Sequence, residues 1–143
     1  MTTSPIARFF DSFAQQSNRD DFPAQAAQFA DTFLAASPNG AKCVSSHDFA
    51  LTLPKRKQLF ASLGLQATKL VSLEETVLDD RYVLVKTRWQ MTFSCANVNA
   101  EEVLADSTFI LDTALDEYKI VLYLAHLDIL EVLKNRGFTT AQR

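Results

Sequence analysis

The chain lacks every cysteine and histidine pattern that would announce a metal centre or a disulfide framework. Its two cysteines, Cys43 and Cys95, stand far apart without a CxxC partner. Its two histidines, His47 and His126, have no cysteine at ligand spacing, so no zinc site is expected. No apolar run approaches the roughly 20 residues of a membrane span. The opening Met1-Thr2-Thr3-Ser4-Pro5 has neither the charged start nor the apolar stretch of a signal peptide. These absences together predict a cytoplasmic chain, away from membranes, with both thiols free. A basic stripe is missing too. The net charge is -3, the sequence pI is about 5.3, and the longest basic run is Lys55-Arg56-Lys57. That is no footprint for nucleic acid. There is no internal repeat and no low-complexity tract.

What is present is one domain's worth of chain, residues 1–143. Hydrophobic residues make up 48% and charged residues 22%, the balance of an ordinary folded domain rather than a disordered one. Eleven Phe stand against one Trp and three Tyr. Phe has no polar handle, so these rings belong in the core.

Ser4-Pro5 reads as a helix N-cap followed by the first helical position, and Ile6, Phe9, Phe10 and Phe13 then recur at helical spacing. A second helix is predicted from about residue 21. It runs through Ala26, Phe29, Ala30, Phe33 and Leu34 to the breaker cluster Ser37-Pro38-Asn39-Gly40. Residues 41–49 fit a short strand or a loop. Pro54 is expected to open a third helix that Gly64 ends. From residue 68 the period changes to two. Strands are predicted over residues 69–78 and 81–93 around a turn at Asp79-Asp80, then over 103–111 and 118–127. A polar connection is expected between residues 94 and 102. Asp128 fits a final N-cap with Glu131 three positions on, Leu127 and Val132 form a hydrophobic staple, and Gly137 is the stop. Helices segregated from an antiparallel sheet give an α+β fold.

In this order the chain resembles the nuclear transport factor 2-like superfamily. The features that carry the resemblance are Pro5-Ile6-Ala7-Arg8-Phe9-Phe10, Gln28-Phe29-Ala30-Asp31-Thr32-Phe33, the segment from Pro54 to Leu63-Gly64, Asp80-Arg81-Tyr82-Val83-Leu84-Val85 and Lys119-Ile120-Val121-Leu122-Tyr123-Leu124. The resemblance implies a cystatin-like cone, with amino-terminal helices packed on a curved antiparallel sheet and a short carboxy-terminal helix. The superfamily includes ketosteroid isomerases, scytalone dehydratases, polyketide cyclases, dioxygenase small subunits and non-catalytic transport adaptors. Its enzymes work in an apolar cone without metal or cofactor, using carboxylates, His and Tyr. No single catalytic set from it aligns onto this chain.

The residues themselves leave several candidates. Trp89, Met91 and Phe93 alternate on one strand face and form either a ligand wall or plain core. Glu74 shares that face if Asp79-Asp80 is a two-residue turn, and a desolvated carboxylate there would act as an acid or base. A three-residue loop sends it to solvent. Asp106 is a second acid/base candidate or a surface charge. His47, beside Asp48, lies where a cone's mouth is expected, as a third candidate or a loop residue. Tyr123 offers a hydroxyl to a ligand. His126 is a candidate buried imidazole or interface residue. The leading expectation is a domain binding a small apolar ligand, with metal-free isomerase, dehydratase or cyclase chemistry as its natural activity. The alternative is a non-catalytic homodimeric module paired through the outer sheet face bearing Leu84, Lys86, Arg88 and Gln90.

Overall fold

The computed structural model describes residues 4–19, 21–95, 98–114 and 116–137, with the side chains of residues 95, 98 and 99 outside the description. The thiol of Cys95 therefore lies outside the described residues, while Cys43 is free and exposed. The elements run α1 (Pro5–Asn18), α2 (Phe22–Ala26), β1 (Phe29–Ser37), β2 (Gly40–Ser45), α3 (Ser46–Ser62), β3 (Leu65–Val77), β4 (Tyr82–Cys95), β5 (Val98–Asp112), β6 (Lys119–Ala125) and α4 (Ile129–Asn135). The six strands form one curved, unclosed sheet in the order β2-β1-β6-β5-β4-β3. All neighbours pair antiparallel except β1 and β6, which run parallel.

Local signals set the two terminal helices. The Ser4 hydroxyl accepts from the Ala7 N–H at 3.0 Å, and Pro5 follows it at the first helical position. Asp128 accepts from the Glu131 N–H at 3.2 Å and also receives the Asn39 amide at 3.0 Å. Those two donors hold the Asp128 carboxyl below the usual carboxylate range, the Asn39 amide contributing most. Arg136 reaches back to Glu101 at 3.3 Å and ties α4 to β5.

The second helix is far shorter than the sequence suggests. Residues 29–37 are strand β1, and residues 38–39 turn a hairpin rather than stop a helix. Phe29 and Phe33 are the cause. Apolar residues four apart fit one face of a helix and one face of a strand equally well. As strand residues both point inward and are buried. The third helix begins eight positions before Pro54, with Ser45 as its N-cap accepting from Asp48 at 3.1 Å. The run Lys55-Arg56-Lys57 consequently lies in mid-helix. The predicted polar connection is mostly strand, because β4 continues to Cys95 and β5 begins at Val98.

One apolar cluster joins α1 to the sheet. Phe10 and Phe109 have ring centroids 4.9 Å apart, Phe13 lies 5.8 Å from Trp89, and Phe29 lies 4.5 Å from Phe33. A second cluster joins the end of α3, the far ends of β4 and β5, and α4, through Phe60, Leu63, Phe93, Val103 and Leu133. Losing a buried ring of this kind costs about 3–5 kcal/mol.

Gly64 makes the α3–β3 corner. Its φ is +97°, and a Cβ there would meet the Ser94 carbonyl oxygen at 2.1 Å. The Ser94 N–H also donates to the Gly64 carbonyl at 2.8 Å. We expect Gly64→Ala to destabilise the fold by about 2 kcal/mol or more, from backbone strain and the clash together. Gly40→Ala, at φ +130° with nothing within 4 Å, should cost less. Urea unfolding of both variants checks the difference, and equal midpoints would remove the clash from the account.

At the other end of the β3–β4 hairpin, Arg81 grips Asp112 with two bonds, at 2.9 and 2.7 Å. The guanidinium holds the Asp112 carboxyl below the usual carboxylate range, with help from the Ala114 N–H. A depressed carboxyl adds stability above its ordinary pKa of about 3.9, and the gain fades as pH falls through the lower folded-state value. Asp112→Asn should therefore be less stable than the parent at neutral pH. The gap should close below about pH 4, as measured by thermal unfolding across pH. A gap that persists unchanged at low pH would show that the charge is not its source.

Candidate functional site

The alternating strands give the sheet a concave face toward the helices and a convex face away from them. On β4 the concave set is Val83, Val85, Thr87, Trp89, Met91 and Phe93. Trp89, Met91, Phe93 and Tyr123 all lie on this side. Trp89 is 7% exposed and packs in the first cluster, while Phe93 is fully buried in the second, with Met91 against it. Tyr123 stacks on Phe109 at 5.0 Å, with the rings 5° from parallel. The Trp89 indole N–H donates to the Thr87 hydroxyl at 2.8 Å, and that hydroxyl donates to the Ser107 carbonyl at 3.1 Å. The polar edge of the indole is thus satisfied inside the protein. Of the two readings the sequence left open, a ligand wall or plain core, the packing is that of core: these four side chains lie in two apolar clusters. On β5 the clusters are separated by two small residues, Ala105 and Ser107.

The three acid/base candidates stand elsewhere. The β3–β4 connection is a three-residue loop, Asp79-Asp80-Arg81, closed by the Leu78 N–H donating to the Tyr82 carbonyl at 3.0 Å. Asp79 caps it by accepting from the Arg81 and Tyr82 N–H groups, each at 2.8 Å. The extra residue shifts the register by one. Glu74 pairs with Lys86 on the convex side and is exposed, instead of sharing the Trp89 face opposite Val85. Glu75 takes the place opposite Val85 and accepts from the Ser4 hydroxyl at 2.6 Å. Asp106 is also convex and exposed. It holds Arg88 with two bonds, at 2.8 and 3.1 Å. Arg88 keeps its carboxyl below the usual range, with a smaller contribution from His126. That is the reverse of the raised value a general acid needs. His47 is exposed in the first turn of α3, which starts where a loop or strand was expected. The structure brings none of the three together and places none of them on the concave face.

The convex face carries a pattern of its own. Leu84 pairs with Ile110, Ile110 with Leu122, and Leu122 with Leu34, so one row of large aliphatic side chains crosses four strands. Leu124 lies beside that row, and Leu104 lies further along β5, 53% exposed. Next to them stand Lys86, Arg88, Asp106 and Glu74. His126 leaves the end of β6 on this side and shares a hydrogen bond of 2.6 Å with Thr108. Of the readings the sequence left for His126, the buried imidazole does not hold, because the ring is exposed on the outer surface.

A groove of about 600 Å³ runs between α1, α2 and residues 116–119. Gln16 and Gln28 line it. Their side-chain oxygens are closed off from water and receive no hydrogen bond. Each such acceptor costs about 1–3 kcal/mol. Sequence reasoning missed this groove, and its one trace is the spacing of Pro5, Phe9, Ser12 and Gln16, a second stripe along α1. Among the described residues, no group of three or more His, Cys, Asp and Glu could hold a metal ion, and no helix is long and apolar enough to cross a membrane.

No family model matches the chain, and no curated protein matches it. Solved structures do. A nuclear transport factor 2-like protein with a cystatin-like fold from Novosphingobium aromaticivorans superposes with a TM-score of 0.70 at 11% identity, over 90% of this chain and 85% of that one. A candidate calcium/calmodulin-dependent protein kinase II association domain from Xanthomonas campestris gives 0.66 at 14% identity, over 86% and 85%. A candidate polyketide cyclase, also from Xanthomonas campestris, gives 0.57 at 14% identity, over 90% and 94%. At these identities the likeness is one of architecture: the chain has the nuclear transport factor 2-like, cystatin-like α+β fold.

Proposed function

We propose that this chain is a non-catalytic homodimeric binding module whose two copies pair through their convex sheet faces. The observation that carries the reading is the row Leu34, Leu122, Ile110 and Leu84, with Leu124 beside it and Leu104 further along β5 past Thr108 and Asp106, on the side of the sheet away from the helices. An apolar patch of this kind with a polar rim marks an interaction surface. The rim suits a second copy of the same face. Lys86 and Arg88 lie beside Glu74 and Asp106, so a two-fold axis through the sheet can set each sign against its opposite. A stable pairing needs about 800 Å² from each copy. The association domain of similar architecture from Xanthomonas campestris supports the reading by its name.

Leu104 is open to solvent, so replacing it tests pairing without disturbing the core. Sedimentation velocity should show a dimer for the parent chain. Leu104→Arg should weaken self-association by about tenfold or more, since it buries a charge at the interface. Its unfolding profile at low concentration should stay unchanged. A parent chain that remains monomeric at tens of micromolar would sink the proposal.

A second reading rests on the seam of small residues. Ala105 and Ser107 separate the two clusters, and on this reading a small apolar ligand entering the cone would lodge beside them, against Trp89. The candidate polyketide cyclase lends this reading support by its name. With Asp106, Glu74 and His47 on the outside, the reading is of a binder rather than a proton-transfer catalyst. Trp89 is the sole tryptophan, so its emission reports entry directly. On this reading a panel of apolar cyclic compounds shifts the parent's emission saturably, and Ser107→Leu, which fills the seam, abolishes the shift. An unresponsive parent, or equal responses from both proteins, would exclude the seam as the site.

A further inference from the structure

The groove beside α1 is built on the helical side and owes nothing to the convex face. We propose that it binds a small planar organic cation, an amidinium or guanidinium carried on an apolar body. Three observations select that chemistry. Gln16 and Gln28 line the groove, and each holds a side-chain oxygen that is shut off from solvent and accepts nothing. The Gln28 nitrogen is already spent on the Phe9 carbonyl at 3.3 Å, which leaves its oxygen as the end to be paired. Amidinium and guanidinium groups carry only donors, fixed in a plane. The terminal torsion of a glutamine is broad, so a turn of the amide brings each oxygen to a ligand without moving the backbone, at Gln28 in exchange for the long bond to Phe9.

Charge points the same way. Asp116 and Glu117 lie on the rim with one cation, Lys119. The Lys119 ammonium is committed to the Ala27 carbonyl and lies 3.6 Å from Glu117. A carboxylate or phosphate entering the groove would meet two negative groups and two acceptors. A cation meets their complements. The rings of Phe9 and Tyr118, with centroids 6.5 Å apart, supply the apolar wall and a π face for it. The volume of about 600 Å³ falls in the range of small-molecule sites.

Benzamidine is the probe, with benzoate as its counterpart of the same shape and opposite charge. Isothermal titration of the full chain should show saturable binding of benzamidine and none of benzoate. The double variant Gln16→Leu, Gln28→Leu should bind benzamidine at least about tenfold more weakly. In ¹H–¹⁵N spectra of the parent chain, benzamidine should move the side-chain amide signals of Gln16 and Gln28, a readout independent of how well the variant folds. Absence of saturable binding to the parent, equal affinity in the double variant, binding of benzoate as tight as benzamidine, or shifts confined to other residues would each overturn the proposal.

Discussion

The contact between α1 and the concave face of the sheet is the constraint on which the rest of this molecule depends. It is made almost wholly of phenyl rings. Phe10 and Phe13 descend from the helix onto Phe109 and Trp89, and Phe29, Phe33 and Phe49 continue the layer toward β1. Rings without polar handles fill space without asking for hydrogen-bond partners. The one indole N–H in the layer is answered two residues away by Thr87. This packing lets the sheet curl around the helices, and it makes the interior apolar.

Polar chemistry is therefore pushed outward. The well-formed ion pairs, Arg81 with Asp112 and Arg88 with Asp106, stand at the hairpin end and on the convex face. The first clamps the loop end of the β3–β4 hairpin to β5. The second lies amid aliphatic side chains, where it orients a surface more than it stabilises one, since exposed pairs contribute little on their own. The unpaired acceptors lie on a third surface, along a flank of α1. Three surfaces with three different chemistries share one apolar interior.

Much of this was legible in the residues, and the failures have definite causes. The caps at Ser4 and Asp128 and the alternation of β4 are strong local signals, and the structure follows them. β1 was hidden because Phe29 and Phe33 satisfy two periods at once, and because its pairing partner β6 is remote in sequence. The placement of Glu74 turned on one residue in a loop. Asp79, accepting from two successive N–H groups, makes that loop three residues long, and so reverses the faces of Ser72 to Val77, until the bulge between Leu70 and Ser72 restores the original alternation. Asp106 was undecidable by alternation because β5 is apolar on both sides: Val103, Ala105 and Phe109 inward, Leu104 and Ile110 outward. That double apolarity reflects an outer sheet face that carries large aliphatic side chains of its own. Residues that read as ambiguous core were two surfaces back to back.

The lone parallel pair in the sheet has a consequence for biosynthesis. β1 emerges early from the ribosome, yet the neighbour that covers its inner edge, β6, is among the last elements made. Until then the β1–β2 hairpin carries an open edge, although Phe13 and Phe49, both made long before β6, can already cover its two phenyl rings. A chain so wired folds late, its contacts being distant in sequence. Until β6 arrives, the open edge of β1 is the place where unwanted strand pairing would start.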